Sequence, residues 1–275
     1  MKNIIPKNMA QIDINFDVDD LKSIDVPHES IEYAKNYLES KEYADGNFIG
    51  VTSDRKAIMG FDYKHKNQMK FVPELDPCLI YFSSAQMFSK MIYSYKKDLL
   101  CNLSFIEPSK NINAQDLGKT MLEFQHFFQF ASSYTIMLNS SLEAFINKEI
   151  PVTTTYITKE KGETKDIKWI LKANLEFKMS KIIPECTNKN FPLEYSKTYE
   201  SIKDFIKFRN QLIHLSPRTD HNSVRYKEFY RKIIDFKYLD SMYQIKKYIN
   251  YHQPNLIEER DFGSELYFDI IKNNL

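Results

Sequence analysis

The sequence predicts a mainly α-helical fold. A helical bundle over about residues 114–251 is interrupted by a β-hairpin at 152–170 and preceded by a small α+β region at 1–110. Three observations predict it. Apolar residues recur at helical spacing over 114–150, from Leu117 and Met121 through Phe124, Phe127, Phe128 and Ala131 to Leu138, Leu142, Phe145 and Ile146. The same spacing returns at Tyr199, Ile202, Phe205, Ile206, Leu212 and Ile213. The first hundred residues instead carry apolar runs of strand length, with turn-prone Ser53-Asp54 between two of them.

Taken in order, a short helix is expected over 29–43, entered through Pro27 and His28. The runs 47–52, 57–61, 69–72 and 78–82 then read as a small β-meander, and 84–100 as a helix. A polar joint at 107–113 divides the chain into a 1–110 region and a 111–275 helical domain. Residues 114–150 read as one long helix or two nearly continuous ones, stopped by Pro151, because proline has no N–H to give and clashes with the preceding turn. Alternation around Lys161-Gly-Glu-Thr164 gives the hairpin at 152–170. Helices follow at 172–183 and 199–215, then a loop at 216–222 and a long helix over 223–251 with Pro254 beyond it. Residues 264–272 read as a last short helix.

Composition narrows the functional class. Hydrophobic residues make up 43% and charged residues 27% of the 275, a globular balance. No apolar run reaches the 18 or so residues of a membrane span, so no membrane partner is expected. Met1-Lys-Asn-Ile-Ile-Pro lacks the apolar core of a secretory signal. Cys78, Cys101 and Cys186 form no CxxC and no disulfide framework. These features predict a cytoplasmic protein. The His and Cys positions match no familiar zinc spacing, and six glycines make no phosphate loop, so no metal or cofactor is implied.

Net charge is +1, but its distribution is uneven. Four of the six arginines, Arg209, Arg218, Arg225 and Arg231, fall between 209 and 231. Over 203–232 there are eight Lys or Arg against three Asp or Glu. Arginine's planar fork of donors suits phosphate or carboxylate; a solvated helix face explains the run equally well. Arg209 lies three residues after Ile206 and three before Leu212, so it points into the apolar stripe of its helix, where a cation needs a partner. Asn210 and His214 share the neighbouring face. The bland alternative is that cations near a helix C-terminus favour the negative end of its dipole.

Two segments taken together carry a resemblance. The long helix ends in Leu138-Asn-Ser-Ser-Leu-Glu-Ala-Phe-Ile-Asn-Lys-Glu-Ile150, and Phe208-Arg-Asn-Gln-Leu-Ile-His214 follows about 60 residues later. This pair resembles the HEPN family of α-helical domains, many of them from prokaryotic defence and toxin–antitoxin systems. The matching positions are Ser141 to Phe145 with Asn147, then Arg209, Asn210 and His214, and the resemblance covers about 114–251. It implies that the two segments are neighbours in a helical bundle. It also implies metal-independent RNA cleavage by a homodimer, leaving a 2′,3′-cyclic phosphate. Arg209, Asn210 and His214 are then catalytic, and Arg218, Arg225 and Arg231 hold RNA. Glu143 is the candidate carboxylate partner of Arg209; an ordinary solvated glutamate is the alternative. A neutralising antitoxin or a defence partner would control the enzyme. Where some toxin members carry a tyrosine two residues after the histidine, this chain has Ser216. The alternative function is a non-catalytic scaffold of the same fold that dimerises or binds a partner or nucleotide.

Overall fold

The fold is described from a computed structural model, covering residues 3–6, 11–13, 47–51, 56–102, 114–158, 162–214 and 226–260. The expected helices at 29–43 and 264–272, and the loop at 216–222, lie outside these residues. The described chain is mainly helical and divides into two units, Asn8–Asp76 and Met1–Lys7 with Pro77–Leu275.

The smaller unit is a sheet. Strands β2 (Gln11–Asp13), β3 (Asn47–Val51), β4 (Lys56–His65) and β5 (Gln68–Pro73) are antiparallel, with β3 on one side of β4 and β2 and β5 on the other. The meander read at 47–72 is therefore present. Lys66 and Asn67 join β4 to β5 with φ of 46° and 62°. Two successive left-handed residues make the tight turn that matches strand twist.

The run at 78–82, read as a strand, is instead the start of helix α1 (Pro77–Asn102). Pro77 opens it at the position where a missing N–H costs nothing. Cys78, Leu79, Phe82, Ala85, Ser89, Ile92 and Leu99 are buried, a three-and-four spacing that five residues alone were too short to reveal. Helix α2 (Ala114–Glu149) runs unbroken up to Ile150 and Pro151. At 1.5 Å per residue it is roughly 54 Å long. It lies antiparallel to α1: Ser141 donates to the Cys78 carbonyl at 2.7 Å, Phe130 faces Phe88 and stacks on Tyr95, and His126 meets the edge of Tyr95. This pairing puts α1 in the helical unit, so the division falls after Asp76 and not at 110.

The hairpin is much shorter than expected. Among the described residues its strands are Tyr156–Ile157 (β6) and Thr164–Lys165 (β7), extended by the Thr158 N–H donating to the Glu163 carbonyl at 2.9 Å, with Gly162 at φ 63°. Asp166 then caps α3 (Ile167–Lys172) by accepting from the Trp169 N–H. Asn174 does the same for α4 (Leu175–Phe177), which runs through a π-helical turn at Lys178–Ile182 into α5 (Ile183–Thr187). Helix α6 (Phe191–Glu194) leads to α7 (Ser196–Ile213), the helix of the Arg209 segment.

The long helix expected over 223–251 is two: α8 (Lys227–Asp235) and α9 (Tyr238–His252). Phe236 is extended, with ψ 138°, because its ring turns away to pack on Phe208 and Phe205 of α7. The Tyr238 hydroxyl donates to the Ile233 carbonyl at 2.8 Å, and Lys96 donates to that of Ile234, so the freed carbonyls of α8 find partners. Strand β8 (Ile257–Arg260) pairs antiparallel with β1 (Asn3–Pro6).

Candidate active site at the end of α7

Helix α7 buries Tyr199, Ile202, Phe205, Ile206, Phe208 and Leu212. Arg209 follows Phe208 and is half-buried, as its place in the stripe requires. Its Nε is buried without a hydrogen-bond partner, while Nη1 donates to the Asn210 side-chain oxygen at 3.1 Å. Among the described residues no carboxylate pairs with it. Asn210 is exposed, so its amide steers the guanidinium from the solvent side.

His214 caps the C-terminus of α7. Its N–H still closes the last turn on the Asn210 carbonyl at 2.9 Å, but its φ of −108° and ψ of 64° have left the helix. The imidazole is exposed at the C-terminal end of the helix, the end toward which its backbone carbonyls point. The dipole there favours a cation, which is compatible both with a plain helix cap and with a proton-transfer group.

A second layer holds this end. Lys232 of α8 donates to Gln211 at 2.7 Å and lies 5.7 Å from the centre of the Phe208 ring. Arg231 is exposed and ion-paired with Glu228 at 3.1 Å, one helical turn away. Such an exposed pair is worth about 0–1 kcal/mol and yields readily to a phosphate. Arg218 and Arg225 lie outside the described residues.

Glu143 is elsewhere. It is half-buried on α2, and its charge acts on Lys178, whose amine it helps keep protonated against burial. Lys178 is fully buried in the π-helical turn and donates to Asn147 at 2.9 Å and to the Leu171 carbonyl at 2.6 Å. Glu143 and Asn147, two of the three polar residues of the Ser141–Asn147 segment, thus serve a lysine that the sequence reading passed over. The signal was there: Lys178 stands three residues after Leu175 and four before Ile182, inside an apolar stripe, as Arg209 does.

The two resembling segments share a bundle but not an end of it. Phe145 packs on Tyr248 and His252, while Tyr134 packs on Tyr238 and Phe128 on Phe229, so α2 runs parallel to the α8–α9 pair. Helix α7 runs the opposite way, with Tyr195 and Thr198 facing Lys247 and Tyr251, and Phe205 and Phe208 facing Phe236. Residues 141–147 therefore lie beside the first half of α7. Arg209 and His214 lie at its far end, beside α8. Eight residues from Ile202 to Asn210 already span about 12 Å. The neighbourhood that the resemblance implied is not formed within one chain.

Comparison with protein families, with curated proteins and with solved structures finds no match to this chain. Among the described residues no helix is long and apolar enough to cross a membrane.

Proposed function

We propose that this chain is a metal-independent endoribonuclease that acts as a homodimer, with His214 transferring protons and Arg209 holding the reacting phosphate. One observation carries the reading: the Arg209 guanidinium is half-buried at an exposed helix end, lacks a carboxylate partner among the described residues, and leaves its Nε unsatisfied. An unpaired buried donor of a cation is costly, and a bound phosphate oxygen would satisfy it.

In this reading the RNA 2′-oxygen attacks the adjacent phosphorus. One imidazole removes the 2′ proton, and a second protonates the departing 5′-oxygen, leaving a 2′,3′-cyclic phosphate. Arg209 stabilises the charge on the phosphorane, and Asn210 holds the guanidinium in place. A single chain offers one such histidine, so the second comes from a copy related by a two-fold axis. Arg218, Arg225 and Arg231 would hold flanking phosphates. The resemblance to HEPN proteins is the ground for placing the activity in bacterial defence or a toxin–antitoxin pair, under a neutralising partner.

The second reading is a non-catalytic scaffold of the same bundle. The separation of Ser141–Asn147 from Arg209–His214 favours it.

The test is cleavage of single-stranded RNA by purified protein in EDTA, with the mass measured by light scattering. His214→Ala is expected to slow cleavage by about 10²–10⁴. Arg209→Ala is expected to lose about 10²–10³. Arg218→Ala and Arg225→Ala weaken RNA binding and flatten its salt dependence. Full activity in His214→Ala, or dependence on added metal, overturns the mechanism. A strict monomer that cleaves no RNA leaves the scaffold.

A further inference from the structure

We propose that the outer edge of β5 binds an extended peptide, which joins the sheet as a further antiparallel strand and carries an acidic residue between two apolar ones. This edge lies in the Asn8–Asp76 unit, outside residues 114–251 on which the resemblance rests, and the proposal is independent of RNA cleavage. Strand β5 has β4 on one side, and among the described residues no strand pairs with its other side. An open edge presents a row of backbone donors and acceptors to any extended chain that fits it.

The register decides which groups point outward. The two-residue turn at Lys66 and Asn67 makes His65 and Gln68 a hydrogen-bonded pair, so Tyr63 with Lys70 and Phe61 with Val72 are hydrogen-bonded pairs as well. The N–H and C=O groups of Met69 and Phe71 therefore face away from β4, about 7 Å apart along the strand. Pro73 is the next outward residue and has no N–H to offer, so β5 presents two outward donors.

The side chains set what the added strand carries. Met69 and Phe71 share one face and are 59% and 46% exposed. The Phe71 ring lies across Gly60, where a Cβ would stand 2.5 Å from it, so the ring has its place before a partner arrives. Apolar residues opposite Met69 and Phe71 would cover both. Lys70 lies between them on the opposite face, with its amine on the Gln68 side chain at 2.7 Å and no carboxylate paired with it among the described residues. Lys64 and Lys66 add two cations to the same ribbon, against Asp62 alone. An acidic residue opposite Lys70 is complementary to this charge. A second copy of the edge is not. The antiparallel register that joins two copies through Met69 and Phe71 sets one Lys70 against the other. The registers on either side lose a donor to Pro73 or run into the Lys66–Asn67 turn.

The probe is acetyl-Thr-Val-Glu-Val-Thr-amide, titrated into the full isotope-labelled chain and followed by nuclear magnetic resonance. The expected Kd is below about 1 mM. Binding slows hydrogen exchange at the Met69 and Phe71 amides and leaves the Lys70 amide unchanged, because that one already pairs with Tyr63. Methylating both valine nitrogens, which face β5, abolishes binding. Methylating the glutamate nitrogen, which faces away, preserves it. Lys70→Glu weakens the peptide about tenfold and reverses the preference toward acetyl-Thr-Val-Lys-Val-Thr-amide. No binding up to about 5 mM peptide, where a 1 mM site would be mostly filled, overturns the proposal. So does equal binding of the peptide methylated on both valines, and so does equal affinity in Lys70→Glu. Slowed exchange at Met69 and Phe71 that grows with protein concentration alone assigns the edge to a second copy and overturns it too. A 2′-O-methyl hexanucleotide that protects these amides where the peptide does not has the same consequence.

Discussion

The Phe208 ring lies flat on the Phe236 ring, with centroids 4.0 Å apart and planes 8° from parallel. Phe208 belongs to α7 and is fully buried; Phe236 is the extended residue that separates α8 from α9. The same contact therefore ends one helix, begins another and seats the residue next to Arg209. Lys232 crosses over it, above the Phe208 ring and on to Gln211.

Phe208→Ala is expected to cost about 3–5 kcal/mol, as large-to-small changes in a packed aromatic site do. The half-buried Phe236, changed to alanine, costs less. Hydrogen exchange adds a second readout: Phe208→Ala accelerates exchange in residues 227–235 more than in 114–149. Uniform acceleration would mean that the ring stack does not position α8.

Glu143 offers a sharper test of the site, because its partner is Lys178 and not Arg209. Burial pushes the Lys178 amine below its usual range, and the Glu143 carboxylate pulls it back up. With a folded pKa below the unfolded value, the cost of the buried ammonium is full at neutral pH and is relieved as pH rises toward 10.5. Glu143→Gln removes the compensating charge. It is expected to lower stability by up to about 1 kcal/mol at pH 7, and by less as pH rises toward 10.5 and more of the amine is neutral. RNA affinity or cleavage should stay at the wild-type level. A loss matching that of Arg209→Ala would instead tie Glu143 to the site.

Legibility from sequence followed the length of each pattern. The 114–149 stripe spans ten turns, and its helix was readable almost to the residue. Residues 78–82 gave too few positions to tell a buried strand from a helix, and the long-range pairing with α2 decided it. The break at Phe236 has no proline or glycine to announce it. Its cause is a ring stack with a residue 28 positions earlier, which no local pattern contains. The half-burial of Arg209 was legible from its place between Ile206 and Leu212. Its distance from residues 141–147 was not, because direction of packing along a helix is a property of the whole bundle.

His252 sets the last expectation. It closes α9, is 7% exposed, and both ring nitrogens lack a partner. Phe145, Tyr248 and Tyr251 surround it at centroid distances of 6.3, 4.8 and 4.9 Å. Lys189 reaches its backbone carbonyl and that of Tyr251 at 3.0 and 3.1 Å. The other charges facing this corner are Glu194, bound to Tyr251, and Glu149, bound to Gln253. Burial pushes the imidazole down to about 4, the Lys189 cation adds to that, and Glu194 opposes it. In the unfolded chain a histidine titrates near 6.5. Below that pH the unfolded state takes up a proton that the folded state refuses. Stability from this group is therefore full above about pH 6.5 and falls as pH drops toward 4, where it levels off. The drop between pH 7 and 4.5 is on the order of 2–3 kcal/mol. His252→Phe removes the titrating group and keeps a ring in the cage. Urea unfolding at the two pH values should show a smaller acid loss in the variant than in wild type by about that amount. Equal losses would mean that His252 is protonated as readily inside the fold as outside it.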